Sequence, residues 1–417
     1  MCVLALALVA TPQRPASTFP VIVVFKADAP LDQFRGDYHP DDRAAANPQA
    51  WGYQNRGVAG AVQNLERGLG FRSDHVYSAA IRGFSARLNT TQIQALENNP
   101  WVNYVEPDGT MNISALALPQ SPAAQAKGNK GGGGGGAPSQ VLPWGIDRID
   151  ADISSTAAGN GSGTVSNVNV YVIDTGTQVT HPDLNVVGFV NFAGGPDDDC
   201  NGHGTHVSGT IAGIDDVAYV VGVAPGAPIT AVKVLGCGGS GTTSGVIAGV
   251  DWVTANAALP AIANMSLGGS ASTALDDAVR NSAAAGVFYS LAAGNDGTDA
   301  CTQSPARAGA GTNNGIMTVA ATSSNDSEAS WSNYGSCVDI WAPGVSILSD
   351  YKGSTTKTLS GTSMASPHVG GTGALFLSTH GGFTPANVEA SLKSGSVTTT
   401  RKSKDGRPIQ IVYAANY

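Results

Sequence analysis

The chain runs to 417 residues, of which 13% are charged, 42% are hydrophobic and 54 are glycine. That is a globular composition with room for two domains and a large core, and it excludes a disordered or fibrous chain. The net charge of −9 argues against a nucleic-acid partner, because no basic stripe is present to neutralise phosphates.

Residues 2–10 form a short apolar run, too short to span a bilayer but matching a secretory h-region. A basic n-region is missing, so residues 1–18 are expected to be a leader that is truncated or whose start is misassigned. Cys2 leaves with it, and no later segment is apolar for long enough to enter a membrane. Residues 19–111 read as a small α+β unit in the order strand, helix, strand, strand, helix, strand. A strand-like run covers 20–25, a helical pattern covers 58–69 and stops at Gly70, and a strand pair over 75–88 turns at Arg82-Gly83. Thr91 and Gln94 have capping-box spacing for a helix ending before Pro100, and 101–105 is the last strand. From 112 to 140 the composition shifts to Ala, Pro, Gln and Lys, with six glycines in a row from Gly131 to Gly136. Such a run cannot bury enough surface to fold, so a flexible linker open to proteolysis is expected there.

In residues 141–417, apolar runs at 168–173, 229–235, 262–267, 287–292 and 316–320 alternate with helical patterns at 203–214, 244–259 and 273–285. Short buried strands between helices predict an α/β domain on a mostly parallel sheet covered on both faces. A last helix opens at Thr384-Pro385, an N-cap followed by proline.

Three strings in this region carry chemistry: Asp-Thr-Gly at 174–176, His-Gly-Thr-His at 203–206 and Gly-Thr-Ser-Met-Ala-Ser-Pro at 361–367. Asp174 ends a predicted buried strand, where α/β sheets present functional groups. His203 and Ser363 each open a predicted helix. A serine hydroxyl needs a histidine to take its proton and a carboxylate to fix the imidazole tautomer. Singly, such residues are turn formers and helix caps; together, in the order Asp, His, Ser, they match one catalytic arrangement. The residues alone do not choose between His203 and His206. The spacing of those two histidines also suggests a metal pair, but no HExxH glutamate or third ligand accompanies it.

These strings are the signature segments of the subtilisin family, and the resemblance extends from about Pro143 to near the C-terminus. It is similar in detail to the proteinase K-like branch with its aqualysin-like members, through the segments at 144–150, 250–253, 264–269 and 332–340. The resemblance implies a three-layer subtilisin-like fold preceded by a ferredoxin-like propeptide that inhibits the enzyme and is cut away in the linker. It implies a triad of Asp174, His203 and Ser363, with His206 packed behind the base. Asn295 and the Ser363 backbone N–H would form the oxyanion hole. Gly238, Gly239, Ser240 and Gly241 on one side, and Ser266, Leu267 and Gly268 on the other, resemble edges that receive an extended peptide. Ala292, Ala293 and Gly294 resemble an uncharged pocket wall, which implies broad cleavage after apolar or aromatic residues. The acidic run 197–199 reads as a solvated loop instead of a pocket for basic pairs.

Without Cys2 the cysteines are Cys200, Cys237, Cys301 and Cys337, which permit three connectivities. The resemblance pairs Cys200 with Cys237 and Cys301 with Cys337, each bridge constraining the unfolded chain by roughly 3–4 kcal/mol. It also implies structural calcium at Asp339, with carbonyl partners after Pro305, and at a second site on Asp147 and Asp150. Extra residues around 309–315 put those carbonyls in question. No catalytic metal, nucleic acid or membrane is expected, and the enzyme is expected to be a secreted monomer acting on proteins or peptides. A sedolisin would use a glutamate base, a lipase would carry a GxSxG elbow, and an inactive binding protein would lack the full triad.

Overall fold

The nearly all-apolar runs and the alternating runs build two different sheets. The computed structural model describes residues 17–39, 55–113, 127–128 and 139–417. The leader at 2–10 and the glycines at 131–136 lie outside the described residues.

Strands Asn169–Asp174, Ile229–Lys233, Ala261–Met265, Val287–Ala292 and Ile316–Thr322 are buried on both faces. They form the middle of a nine-stranded sheet, flanked on one side by Val186–Asn191 and on the other by Ile340–Pro343, Pro408–Ile411 and Val397–Lys402. Every neighbouring pair is parallel except the last hairpin. Helices His203–Ala212 and Thr362–Thr379 cover one face, where Val207, Ile211 and Val369 meet Ile262 and Phe288. Helices Thr243–Asn256 and Thr273–Ala284 cover the other, where Ile247, Val250 and Val279 meet Ile173, Val232 and Leu291. The subtilisin-like three-layer architecture is present as expected.

The N-terminal unit is a four-stranded antiparallel sheet in the order Ser73–Tyr77, Gly83–Asn89, Thr18–Phe25, Val102–Pro107. Helices Arg56–Leu69 and Thr90–Glu97 complete it. The capping box is two residues earlier than expected: Asn89 and Gln92 make both of its hydrogen bonds. The strand ends at Asn89 in extended backbone, so the first suitable side chain takes the cap. The central strand divides its side chains by the two-residue period. Val21, Val23 and Phe25 face the unit's own helices, while Ile22 and Val24 join the core around Thr243–Asn256 and Thr273–Ala284.

Carboxylates fix this docking. Asp251 accepts the backbone N–H groups of Ser78, Ala79 and Ala80 at 3.0, 2.8 and 2.7 Å. Glu106 accepts from the Ser272 hydroxyl at 2.5 Å and the Thr273 N–H at 3.1 Å; Asp108 accepts from Ser244 N–H and Oγ at 2.9 and 2.6 Å. Both therefore sit at helix N-termini, where the dipole and the unpaired amides favour an anion. Ordered chain then continues past the expected boundary at 111, as the strand Thr110–Ile113. Within the expected linker, Lys127–Gly128 pairs with Val141–Leu142.

Hydrogen bonds to a charged acceptor contribute about 1.5–3 kcal/mol. Asp251→Ala is therefore expected to speed amide hydrogen exchange at Ser78, Ala79 and Ala80 by about 10–100-fold, read by mass spectrometry on the full chain.

Candidate active site

Asp174 is the last residue of its strand and is fully buried. Its Oδ1 accepts the Thr175 N–H at 2.6 Å and lies 2.8 Å from His203 Nδ1, a hydrogen bond in which the ring N–H donates. Two glycines allow the approach. Gly202 has φ 103°, and a Cβ there would lie 2.4 Å from the Tyr351 ring; a Cβ on Gly204 would lie 1.9 Å from Gly176 O. Asp199 ties the pieces together, accepting from Thr175 Oγ1 and Gly202 N at 2.9 and 2.8 Å and from Thr205 N and Oγ1 at 2.9 and 2.7 Å. The expectation of a solvated loop over 197–199 is thus corrected at Asp199, which is 3% exposed. Its neighbours Asp197 and Asp198 remain exposed. His206 is fully buried, with Nε2 at 3.1 and 2.9 Å from the Ile347 and Lys357 carbonyls. Burial lowers its pKa to about 3, so it is a neutral packing residue.

Ser363 is the second residue of the helix Thr362–Thr379. Its Oγ donates to Ser266 O at 2.9 Å, and Ser266 Oγ returns a bond of the same length to Ser363 O. His203 Nε2 carries no hydrogen bond among the described residues. The Asp–His half of the expected arrangement is therefore made, while the serine hydroxyl is turned to a backbone carbonyl. Asn295 Oδ1 accepts from Thr362 N and Oγ1, both at 2.9 Å. With its oxygen held there, the amide Nδ2 is the atom left to donate.

The strand Thr110–Ile113 lies between Ser240–Thr242 and Leu267–Ser270, antiparallel to both, with Met111 opposite Gly241 and Gly269. Ile113 N–H donates to Gly239 O at 2.9 Å; Gly238 lies just outside the paired segment. Thr110, Asn112 and Ile113, with Gly268, Gly294, Asn295, Asp296 and Gln303, line a cavity of about 610 Å³. Ala292 and Ala293 are buried behind it, the Ala293 carbonyl held by Asn333 Nδ2 at 2.9 Å. Asp296, on the rim, was not anticipated; Gln303 Nε2 bonds it at 2.5 Å.

Residues 165–409 match the Subtilase family, and residues 20–114 match Peptidase inhibitor I9. The chain belongs to the subtilase family. It is similar to the extracellular serine proteinase of Thermus sp. (strain Rt41A), 42% identical across 89% of this chain and 83% of that protein. The alkaline serine exoprotease A of Vibrio alginolyticus is 42% identical over 82% of this chain and 61% of its own length. Subtilisin-like protease 7 of Trichophyton violaceum is 38% identical over 74% and 72%. A crystal structure of a cold adapted subtilisin-like serine proteinase, also 42% identical, superposes with a TM-score of 0.57 over 66% of this chain and 98% of that one. These relatives agree with the proteinase K-like branch, and this subtilase is a serine endopeptidase with an inhibitor-type propeptide.

Two disulfides brace the subtilase cleft. Cys200–Cys237, with Cα atoms 5.0 Å apart, joins the approach to His203 to the loop beside Gly239; Cys301–Cys337, at 5.3 Å, anchors the segment after Asn295. The residues expected to hold calcium differ in fit. Asp339 does not fit, because Lys393 Nζ lies 2.7 Å from its Oδ1 and Thr318 N–H donates to its Oδ2 at 2.8 Å. Asp147 and Asp150 share one turn, with the Asp150 N–H on Asp147 O at 3.0 Å. Among the described residues, no group of three or more His, Cys, Asp or Glu is placed to hold a metal ion.

Behind the His203 helix lie two buried carboxyls, Asp183 and Asp350. Burial raises Asp183 to about 8; burial and the neighbouring Asp183 carboxyl raise Asp350 as well. Between the ordinary value of 3.8 and about 8, the folded chain keeps a proton that the unfolded chain releases. Stability therefore falls as pH rises through that window. Asp350→Asn is expected to melt above the parent chain at pH 8 and to lose most of that advantage at pH 5, read by calorimetry.

Proposed function

We propose that this subtilase is a secreted, self-processing endopeptidase of broad specificity in which Ser363 is the nucleophile. His203 is its base, Asp174 orients that base, and Asn295 Nδ2 with the Ser363 N–H stabilises the oxyanion. The observation that carries this reading is the 2.8 Å bond from His203 Nδ1 to a fully buried Asp174, with Nε2 left without a partner among the described residues. That bond fixes the tautomer in which Nε2 carries the lone pair.

The chemistry follows from those positions. Released from Ser266 O, the Ser363 hydroxyl gives its proton to His203 Nε2 as Oγ adds to the substrate carbonyl. Asp174 stabilises the imidazolium formed. Negative charge on the carbonyl oxygen is met by Asn295 Nδ2, whose direction Thr362 sets, and by an amide at a helix N-terminus. His203 then protonates the leaving amine, leaving an acyl group on Ser363. Water, deprotonated at Nε2, removes it.

The pairing of Thr110–Ile113 supports the substrate mode: an extended segment enters between two strands of a four-stranded antiparallel sheet through its backbone, which tolerates many sequences. The uncharged wall of Ala292, Ala293 and Gly294 supports a preference for apolar or aromatic residues before the cleaved bond. The same segment supports inhibition by the propeptide until a bond in the 112–140 linker is cut, separating residues 19–111 from the peptidase, 141–417. Extracellular relatives, two disulfides and the apolar leader support secretion. The site is complete within one chain, which supports action as a monomer. Asp147 and Asp150 would hold a structural calcium whose role is to brace their turn.

Expression of the parent chain beside Ser363→Ala tests the reading. The parent is expected to shed its N-terminal unit and digest casein, while the variant keeps that unit and loses activity by the order of 10⁶-fold. A variant that processes itself and digests casein normally would falsify the assignment.

A further inference from the structure

The centre around Asp339 answers the calcium expectation in an unexpected way. Asp339 is 8% exposed, and Glu389, on the helix Pro385–Gly395, is fully buried. Between them stands Lys393 Nζ, 2.7 Å from Asp339 Oδ1 and 2.5 Å from Glu389 Oε1. The outer oxygens are also taken. Asp339 Oδ2 accepts the Thr318 N–H at 2.8 Å, and Glu389 Oε2 accepts the Asn314 and Gly315 N–H groups, both at 2.7 Å.

The expected backbone ligands are committed elsewhere. Ala306 O accepts from Thr318 Oγ1 at 2.6 Å, Arg307 O from Arg280 Nη2 at 3.4 Å, and Ala308 O from Asn314 Nδ2 at 3.1 Å. Asn314 and Gly315 thus turn N–H donors, not carbonyl oxygens, toward this centre. Calcium takes six to eight oxygens and tolerates no ammonium among them. Two buried carboxylates, however, need a cation, since each is costly to bury unpaired.

We propose that Lys393 is a built-in replacement for the cation at Asp339. Its ammonium is covalently part of the chain and clamps three elements: the helix Pro385–Gly395, the 314–315 turn through Glu389, and the start of the Ile340–Pro343 strand through Asp339. Stability at this centre is then independent of calcium and cannot be removed by a chelator.

The test uses the full chain with Ser363→Ala, to prevent self-digestion, and with Asp147→Asn and Asp150→Asn, to remove the other calcium candidate. Its melting temperature is expected to stay within about 1 °C on adding EDTA, because the remaining cation is a side chain. Adding Lys393→Met leaves two uncompensated carboxylates and is expected to lower the melting temperature by about 5–15 °C. Adding Asp339→Asn to that variant should recover part of the loss. A chelator-induced drop that Asp339→Asn abolishes, or a Lys393→Met variant that melts like its parent, would overturn the proposal. Should the Lys393→Met chain not fold, calcium titration calorimetry on its parent decides instead. No binding heat supports the internal cation, whereas a stoichiometric site lost in Asp339→Asn refutes it.

Discussion

The hydrogen bond from His203 to Asp174 sets the terms for the rest of the peptidase. A carboxylate at zero exposure is expensive unless its surroundings pair and orient it. Much of the local sequence serves that end. The strand delivers Asp174 to the sheet's C-terminal edge, Gly202 and Gly204 let the next helix press against it, and Asp199 binds Thr175, Gly202 and Thr205 into one unit. Ser266, directly after the adjacent strand, then locks to Ser363 by two reciprocal bonds. The reactive groups are thereby carried by strand ends and helix starts of a rigid sheet, which holds geometry better than free loops.

The N-terminal unit uses the same sheet logic from outside. Its central strand faces its own helices with one set of side chains and the peptidase helices with the other. Glu106 and Asp108 supply anions to two helix N-termini that would otherwise expose amides. Directly after them in the chain, Thr110–Ile113 lies in the cleft and satisfies both of its strand edges. Docking and occupation are consequently one continuous interface, and the serine hydroxyl rests on Ser266 O beside it.

Much of this was legible in the sequence. Nearly continuous apolar runs at 168–173 and 287–292 signalled a parallel sheet because such strands are buried on both faces, and the three strings singled out Asp174, His203 and Ser363, of which the structure joins the first two by a hydrogen bond. What escaped was contact between distant segments. Thr-Met-Asn-Ile at 110–113 alternates polar and apolar over only four residues beside the expected linker, too short a run to signal a strand, and it pairs because two edges await it. Asp199 looks like the end of an acidic surface loop until Thr175 and Thr205 close around it. Glu389 and Lys393 have the spacing of an ordinary exposed helical pair, and nothing local announces Asp339 between them and the sheet.

In the proposed reaction one serine, activated by His203 on Asp174, performs the chemistry. Labelling the mature, active enzyme with a fluorophosphonate and locating the adduct by peptide mass spectrometry puts this to the test. A single adduct on Ser363 is expected, formed as activity is lost, and no adduct when Asp174 is replaced by Asn at the same dose. Inactivation with the label on another residue, or full activity with Ser363 labelled, would contradict it.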